Sequence, residues 1–249
     1  MKLIQVTDLH LRAPGERVAG LDPTASLSVA IDDINRNHPD ADLVVFTGDL
    51  SDDGSIASYR SLEAAIGRLV PPSRLLLGNH DDRSAFRAVF PGASGEDGFV
   101  QSVEDRSVGR LVFLDTLDEG AVAGRLCDHR LAWLDQCLAE SRQPVFVFMH
   151  HPPFDIGMPP LDGCKLADPD AFADLLGRHG NVRHIAAGHV HRLCSGLWNG
   201  IAFNTGRGTN HQTAPLFGAT HFAMGFETPA YNVMLISASS VVVHTQEIT

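Results

Sequence analysis

Residues 43–49 read Leu43-Val44-Val45-Phe46-Thr47-Gly48-Asp49, an apolar run that ends in a hydroxyl, a glycine and a carboxylate. A short run that is apolar at every position fits a strand buried on both faces, as in sheets covered by helices. The same layout recurs outward along the chain. Leu3–Val6 leads into Thr7-Asp8-Leu9-His10 and Arg74–Leu77 into Gly78-Asn79-His80-Asp81. Val145–Met149 leads into His150-His151-Pro152-Pro153, and His184–Ala187 into Gly188-His189-Val190-His191. Leu111–Asp115 is a further β-like run. Helical spacing fills the intervals over Thr24–Asn37, Ile56–Leu69, Asp128–Ala139 and Pro169–His179. In the first of these, Ala25, Val29, Ile31 and Ile34 make an apolar face, with Asp32, Asp33, Asn35 and Arg36 on the wet side. From about Gly196 the pattern changes to short strands and Gly-rich turns, and Val233–Ser237 and Val241–Thr245 read as paired strands. The expectation is an α/β fold in a single domain over 1–249, with 196–249 as its strand-rich extension.

Composition narrows the function. The chain of 249 residues carries 19 Lys and Arg against 30 Asp and Glu, a net charge of −11. An acidic surface disfavours a nucleic-acid polymer as partner. With 20% charged and 44% hydrophobic residues, and a mean hydropathy of −0.01, the chain is not of the disordered class. No apolar run approaches the ~20 residues of a membrane span. Polar residues interrupt Met1–Asp8 too early for a signal-peptide core, and Cys127, Cys137, Cys164 and Cys194 form no CxxC pair, so a cytoplasmic protein with reduced thiols is expected. Histidine stands out at 13 residues, against 2 Trp and 2 Tyr. It is the commonest metal ligand, which makes its placement informative.

Five strand ends in order each offer Asp, Asn or His, and in open α/β sheets ligands bind beyond the carboxyl ends of the strands. Carboxylate, amide and imidazole suit Zn, Mn, Fe or Co. Asp8 and His10 stand two apart, as do His189 and His191, so a continued strand pleat projects each pair to one face. Gly48, Gly78 and Gly188 precede ligand candidates and let the backbone turn tightly. The candidates exceed what one ion uses, and Asp49 is the natural bridge between two.

The ordered set D-x-H, G-D, G-N-H-D, H-H-P-P and G-H-x-H, spanning Asp8 to His191, resembles the calcineurin-like metallophosphoesterase superfamily. Thr47–Gly54 and Gly78–Arg83 are similar to bacterial class III cyclic-nucleotide phosphodiesterases and to the related glycerophosphodiesterases. The resemblance implies a two-sheet βαββαβ sandwich flanked by helices in four layers, and a dinuclear metal centre. It assigns Asp8, His10, Asp49 and His191 to one ion, and Asp49, Asn79, His150 and His189 to the other. His80 becomes the catalytic residue and His211 a substrate contact. The implied reaction is hydrolysis of a small phosphodiester, a 3′,5′-cyclic nucleotide or a glycerophosphodiester, by metal-bound hydroxide, with two divalent ions as cofactors and a homo-oligomer as the assembly. The alternatives are a phosphomonoesterase of the same superfamily or a non-catalytic scaffold on the same fold.

Other residues take subsidiary expectations. Asp81 or Asp82 orients His80, and Arg83 or Arg12 offers a guanidinium to phosphate. His151 packs or hydrogen-bonds beside the site, Cys127 and Cys137 fill core, Phe146 and Phe148 face core, and Asp115–Glu119 is a solvated loop.

Overall fold

The computed structural model describes residues 1–93, 95 and 97–248. The first half comprises strand β1 (Lys2–Val6), helix α1 (Pro23–Asn37), β2 (Leu43–Thr47), α2 (Ile56–Ile66), β3 (Ser73–Leu76), α3 (Arg83–Val89), β4 (Ser102–Arg106) and β5 (Gly109–Phe113). Then follow α4 (Asp128–Glu140), β6 (Val145–Met149), the single turn α5 (Pro159–Asp162), α6 (Pro169–His179) and β7 (Val182–Ala187). The C-terminal part adds β8 (Ser195–Trp198), β9 (Ile201–Asn204), β10 (Gln212–Thr213), β11 (Met224–Gly225), β12 (Ala230–Ile236) and β13 (Val241–Glu247).

Two sheets face each other. One runs β13-β12-β1-β2-β3 and the other β4-β5-β6-β7-β9-β8. The central pairs β1–β2, β2–β3, β5–β6 and β6–β7 are parallel, while β12 and β4 join antiparallel. The uniformly apolar strands are explained by what lies on each face. Leu3, Leu43 and Val45 point toward Phe113, Phe146 and Phe148 of the second sheet and form the layer between the sheets. Their neighbours Val44 and Phe46 face outward onto Leu27 and Ile31 of α1 and Tyr59 and Leu62 of α2. Val145 and Val147 likewise pack on Leu134 of α4 and Phe172 of α6. The result is the expected four layers, helices outside and sheets within. Strands β12 and β13 pair as expected, and β8 and β9 extend the second sheet.

Several sequence expectations are corrected. Helix α2 stops at Ile66, with Gly67 as its C-cap, and α3, β4 and α5 lie outside the stretches read as regular. Asp33, placed on the wet face of α1, is buried and accepts from the Tyr231 hydroxyl at 2.6 Å. Asp115 is no solvated loop residue. It is fully buried, and its carboxylate accepts from Arg83 Nε (3.1 Å), Arg83 Nη2 (3.2 Å) and the backbone of Val100 and Leu117. Arg83 is thereby committed to the fold, with a further bond to the Leu117 carbonyl, and is not available to a substrate phosphate. Arg83→Ala strands a buried carboxylate, although Arg130 remains 3.7 Å from it. We expect a loss of about 3 kcal/mol and roughly 10 °C in Tm, read by thermal denaturation, with kcat/KM of the folded protein unchanged. A fall in kcat/KM at unchanged Tm would return Arg83 to the substrate.

Candidate metal centre

The motif loops leave the C-terminal ends of β1, β2, β3, β6 and β7, and their side chains converge beyond that edge. Asp8, His10, Asp49, His150, His189 and His191 are all buried. The strand pleat does not deliver them. Asp8 (φ 54°), His10 (φ 48°), Asp49 (φ 47°), His189 (φ 71°) and His191 (φ 47°) all take left-handed backbone. They are five of the seven non-glycine residues with positive φ among the described residues, so the strain is concentrated at this site. Each such residue costs of order 1–3 kcal/mol and persists only where surrounding bonds hold it. Here Asp8 N–H donates to the Gly48 carbonyl (3.1 Å) and His10 N–H to the Asp49 carbonyl (2.9 Å).

The three glycines divide into two kinds. Gly48 uses the freedom expected of it, at φ 94°, and a Cβ there would also fall on His150 Nδ1. Gly78 and Gly188 have ordinary backbone and are needed for space. A Cβ on Gly78 would fall on Asp49 Oδ1 and lie 2.6 Å from His150 Nε2, and one on Gly188 would fall on Thr7 Oγ1. Gly78→Ala should weaken divalent-metal affinity roughly 10–100-fold, measured by equilibrium titration, because the methyl displaces two ligand candidates at once. Unchanged affinity would contradict this packing.

Hydrogen bonds determine which ring nitrogens are free. His10 Nδ1–H donates to Asp52 Oδ1 (3.0 Å) and His191 Nδ1–H to the His211 carbonyl (2.8 Å). The two Nε2 atoms face each other at 3.0 Å. Asp8 Oδ1 lies 3.5 Å from His191 Nε2, Asp49 Oδ2 lies 3.6 Å from His10 Nε2, and Asp8 Oδ2 is buried without a partner. Imidazole nitrogens crowded against carboxylate oxygens, one of them orphaned, fit a cation. On the other side of Asp49, His150 Nδ1–H donates to the Thr47 carbonyl (2.8 Å). Its Nε2 stands 3.4 Å from Asp49 Oδ1 and 3.3 Å from Asn79 Oδ1. His189 Nδ1 is 2.9 Å from the same amide oxygen, and its Nε2–H points at Cys164 Sγ, 3.4 Å away. Asp49 thus turns one oxygen to each group.

The electrostatics divide the histidines. Burial raises the Asp49 carboxyl, but the charge and hydrogen bond of His150 overcome it and hold Asp49 well below the usual range. Burial lowers His150, and Asp49 reverses that, pushing it up to about 9. Burial, reinforced by positive neighbours, takes His189 and His191 down to about 3, so both are neutral and ready to bind a metal at pH 7.

His80 lies at the edge of the cluster, its side chain 41% exposed and its ring 4.6 Å from that of His10. Neither Asp81 nor Asp82 orients it. Asp81 accepts from the backbone of Gly78, Leu50 and Ser51 and from the Tyr59 hydroxyl, tying two motif loops together. Asp82 caps α3 through Ala85 N–H. The orienting group is Asp52, whose backbone carbonyl accepts from His80 Nδ1–H at 3.0 Å. Half-burial raises the Asp52 carboxyl, but hydrogen bonds from His10 and Arg12 pull it down to about 2. No role falls to Asp52 from the sequence, although it lies within the Thr47–Gly54 motif. Arg12 is held by Asp52 at 2.6 Å. His151 sits beside the site as expected, 2.8 Å from the Thr116 hydroxyl. His211 is buried, its ring 4.6 Å from His191 and 4.9 Å from His10.

The cluster opens into a cavity of about 340 Å³ whose lining includes His80, Asn79 and His211 and, among the described residues, neither lysine nor arginine.

Comparison with known proteins agrees. Residues 1–193 match the calcineurin-like phosphoesterase family, and the chain belongs to it. It is accordingly a metal-dependent phosphoester hydrolase, and its His/Asp clusters fit a metal site. The chain is 41% identical to a probable cyclic nucleotide phosphodiesterase of Rhodopseudomonas palustris, over 98% of this chain and 91% of that one. It is 33% identical to a probable glycerophosphodiester phosphodiesterase of Arcobacter nitrofigilis, over 86% and 80%. A dimetal phosphatase from Danio rerio shares the fold at a TM-score of 0.75 and 17% identity, covering 100% of this chain and 96% of that one. Among the described residues no helix is long and apolar enough to cross a membrane.

Proposed function

We propose that the protein is a dinuclear phosphodiesterase acting on small phosphodiesters, a cyclic nucleotide or a glycerophosphodiester. The observation that carries this reading is Asp49, one oxygen toward His10 and the other toward His150. Asp8, His10, Asp49 and His191 would hold one ion, and Asp49, Asn79, His150 and His189 the other. When bound, two divalent ions supply Lewis-acid charge to the phosphoryl oxygens and acidify a water. The chain does the rest. His80, anchored through Nδ1–H, keeps Nε2 for the substrate, and from the imidazolium form the Nε2 proton passes to the leaving alkoxide oxygen, leaving a neutral ring. His211 borders the substrate space. Asp52 holds His10 and His80 in register.

Diesters are favoured over monoesters by the lining. A dianionic monoester gains from a guanidinium, yet Arg12 is held by Asp52 and Arg83 by Asp115. The reading includes a cytoplasmic homo-oligomer, and the net charge of −11 supports small substrates over nucleic-acid polymers. The experiment is kcat/KM of the Mn²⁺-reconstituted protein for 3′,5′-cAMP, a glycerophosphodiester and a phosphomonoester. Preference for either diester is expected, whereas preference for the monoester would replace this reading with that of a phosphomonoesterase.

A further inference from the structure

The cavity has two unlike ends. Its floor is Asn79 together with the buried Asp49, His189 and His191. Its mouth carries Phe222, Met224 and Val122, which remain 50%, 44% and 58% exposed. Local structure puts the first two there. The short antiparallel pair β10–β11 sets Met224 opposite Thr213, and Ala214 N–H donates to the Ala223 carbonyl at 2.8 Å, carrying Phe222 over the opening beyond the pair. Thr213 also lines the cavity, its hydroxyl oxygen buried. Large apolar side chains left in water beside a charged floor lose hydration cost when a flat apolar group covers them. A glycerol headgroup has no such surface and brings hydroxyls that need partners.

From this juxtaposition we infer that Phe222 and Met224 form a base-binding rim, so that of the two diester classes the site takes the cyclic nucleotide, with its base against the rim and its phosphate at the floor. This rests on the phosphodiesterase reading above. Base–aromatic contact is tolerant of base identity, because each base has a π-face, so adenine and guanine are expected to be served alike.

The test uses the Mn²⁺-loaded full chain and its Phe222→Ala and Met224→Ala variants. The first readout is the ratio of kcat/KM for 3′,5′-cAMP to that for a glycerophosphodiester. It should favour cAMP in the parent and fall about tenfold in Phe222→Ala, the size expected for loss of one stacked base. The second is calorimetric binding of AMP and of glycerol 3-phosphate, both dianionic monoesters, which does not depend on turnover. AMP should bind more tightly, and lose about tenfold in Phe222→Ala while glycerol 3-phosphate does not. If neither diester is turned over but AMP shows this loss, the phosphodiesterase reading fails and the rim stands. If AMP binds no more tightly than glycerol 3-phosphate, or the ratio is the same in parent and variants, the rim is refuted. A variant that changes oligomeric state by sedimentation without changing AMP affinity assigns these side chains to a contact between copies and refutes it equally.

Discussion

Replacing His80 by alanine lowers kcat by about 10²–10⁴-fold, the usual worth of a positioned general acid or base, and leaves the metal content unchanged. The expectation comes from how His80 is attached. Its side chain is held by a single bond, Nδ1–H to the Asp52 carbonyl, and is 41% exposed, so its removal leaves no buried donor unsatisfied. Its backbone N–H donates to Asp49 Oδ1 at 2.9 Å, and this bond survives in the variant. The bridge candidate therefore keeps its position while the proton donor is lost. Metal analysis beside steady-state kinetics separates the two effects. Loss of metal together with turnover would make His80 part of the centre, and unchanged turnover would remove it from the reaction.

Asp49→Ala has the larger expected consequence. Asp49 faces His10 through one oxygen and His150 through the other, and among the described residues it is the only carboxylate shared by the two groups of donors. Its loss removes a ligand from each group and the negative charge that offsets the local histidines. We expect bound metal to fall below one ion per chain and kcat/KM to drop by roughly 10³-fold or more, since positioning and charge stabilisation fail together. The backbone at residue 49 is left-handed, which alanine adopts less readily than aspartate, so circular dichroism should confirm the fold and Asp49→Asn should be run alongside. Asn keeps one oxygen and is expected to retain one ion with most activity lost. Two ions retained in Asp49→Ala would dissolve the bridging role.

The fold was legible where burial is symmetric. Leu43–Thr47 and Val145–Met149 are covered on both faces, so their sequence is apolar at every position and their ends are sharp. The ligand candidates were legible because each follows a β-like run, and all seven converge on one cluster. What the sequence did not reveal depends on partners distant along the chain. Asp115 reads as a solvated acid, but its burial rests on Arg83, 32 residues away. Asp52 has no role assigned from sequence, and only the fold brings His10, 42 residues off, to its carboxylate. The two-apart spacing of Asp8 and His10 led to the right grouping for the wrong reason. Positive φ at both positions, and not a continued pleat, turns them inward. Gly78 was expected to let the backbone turn tightly and serves as the space that Asp49 and His150 occupy.

The central claim is that Asp49 joins two ions. Anomalous diffraction from crystals of the Mn²⁺-loaded protein tests it most directly. Two peaks are predicted, one among Asp8, His10 and His191 and one among Asn79, His150 and His189, with Asp49 contributing an oxygen to each. A single peak, or two peaks that Asp49 does not touch, would contradict it.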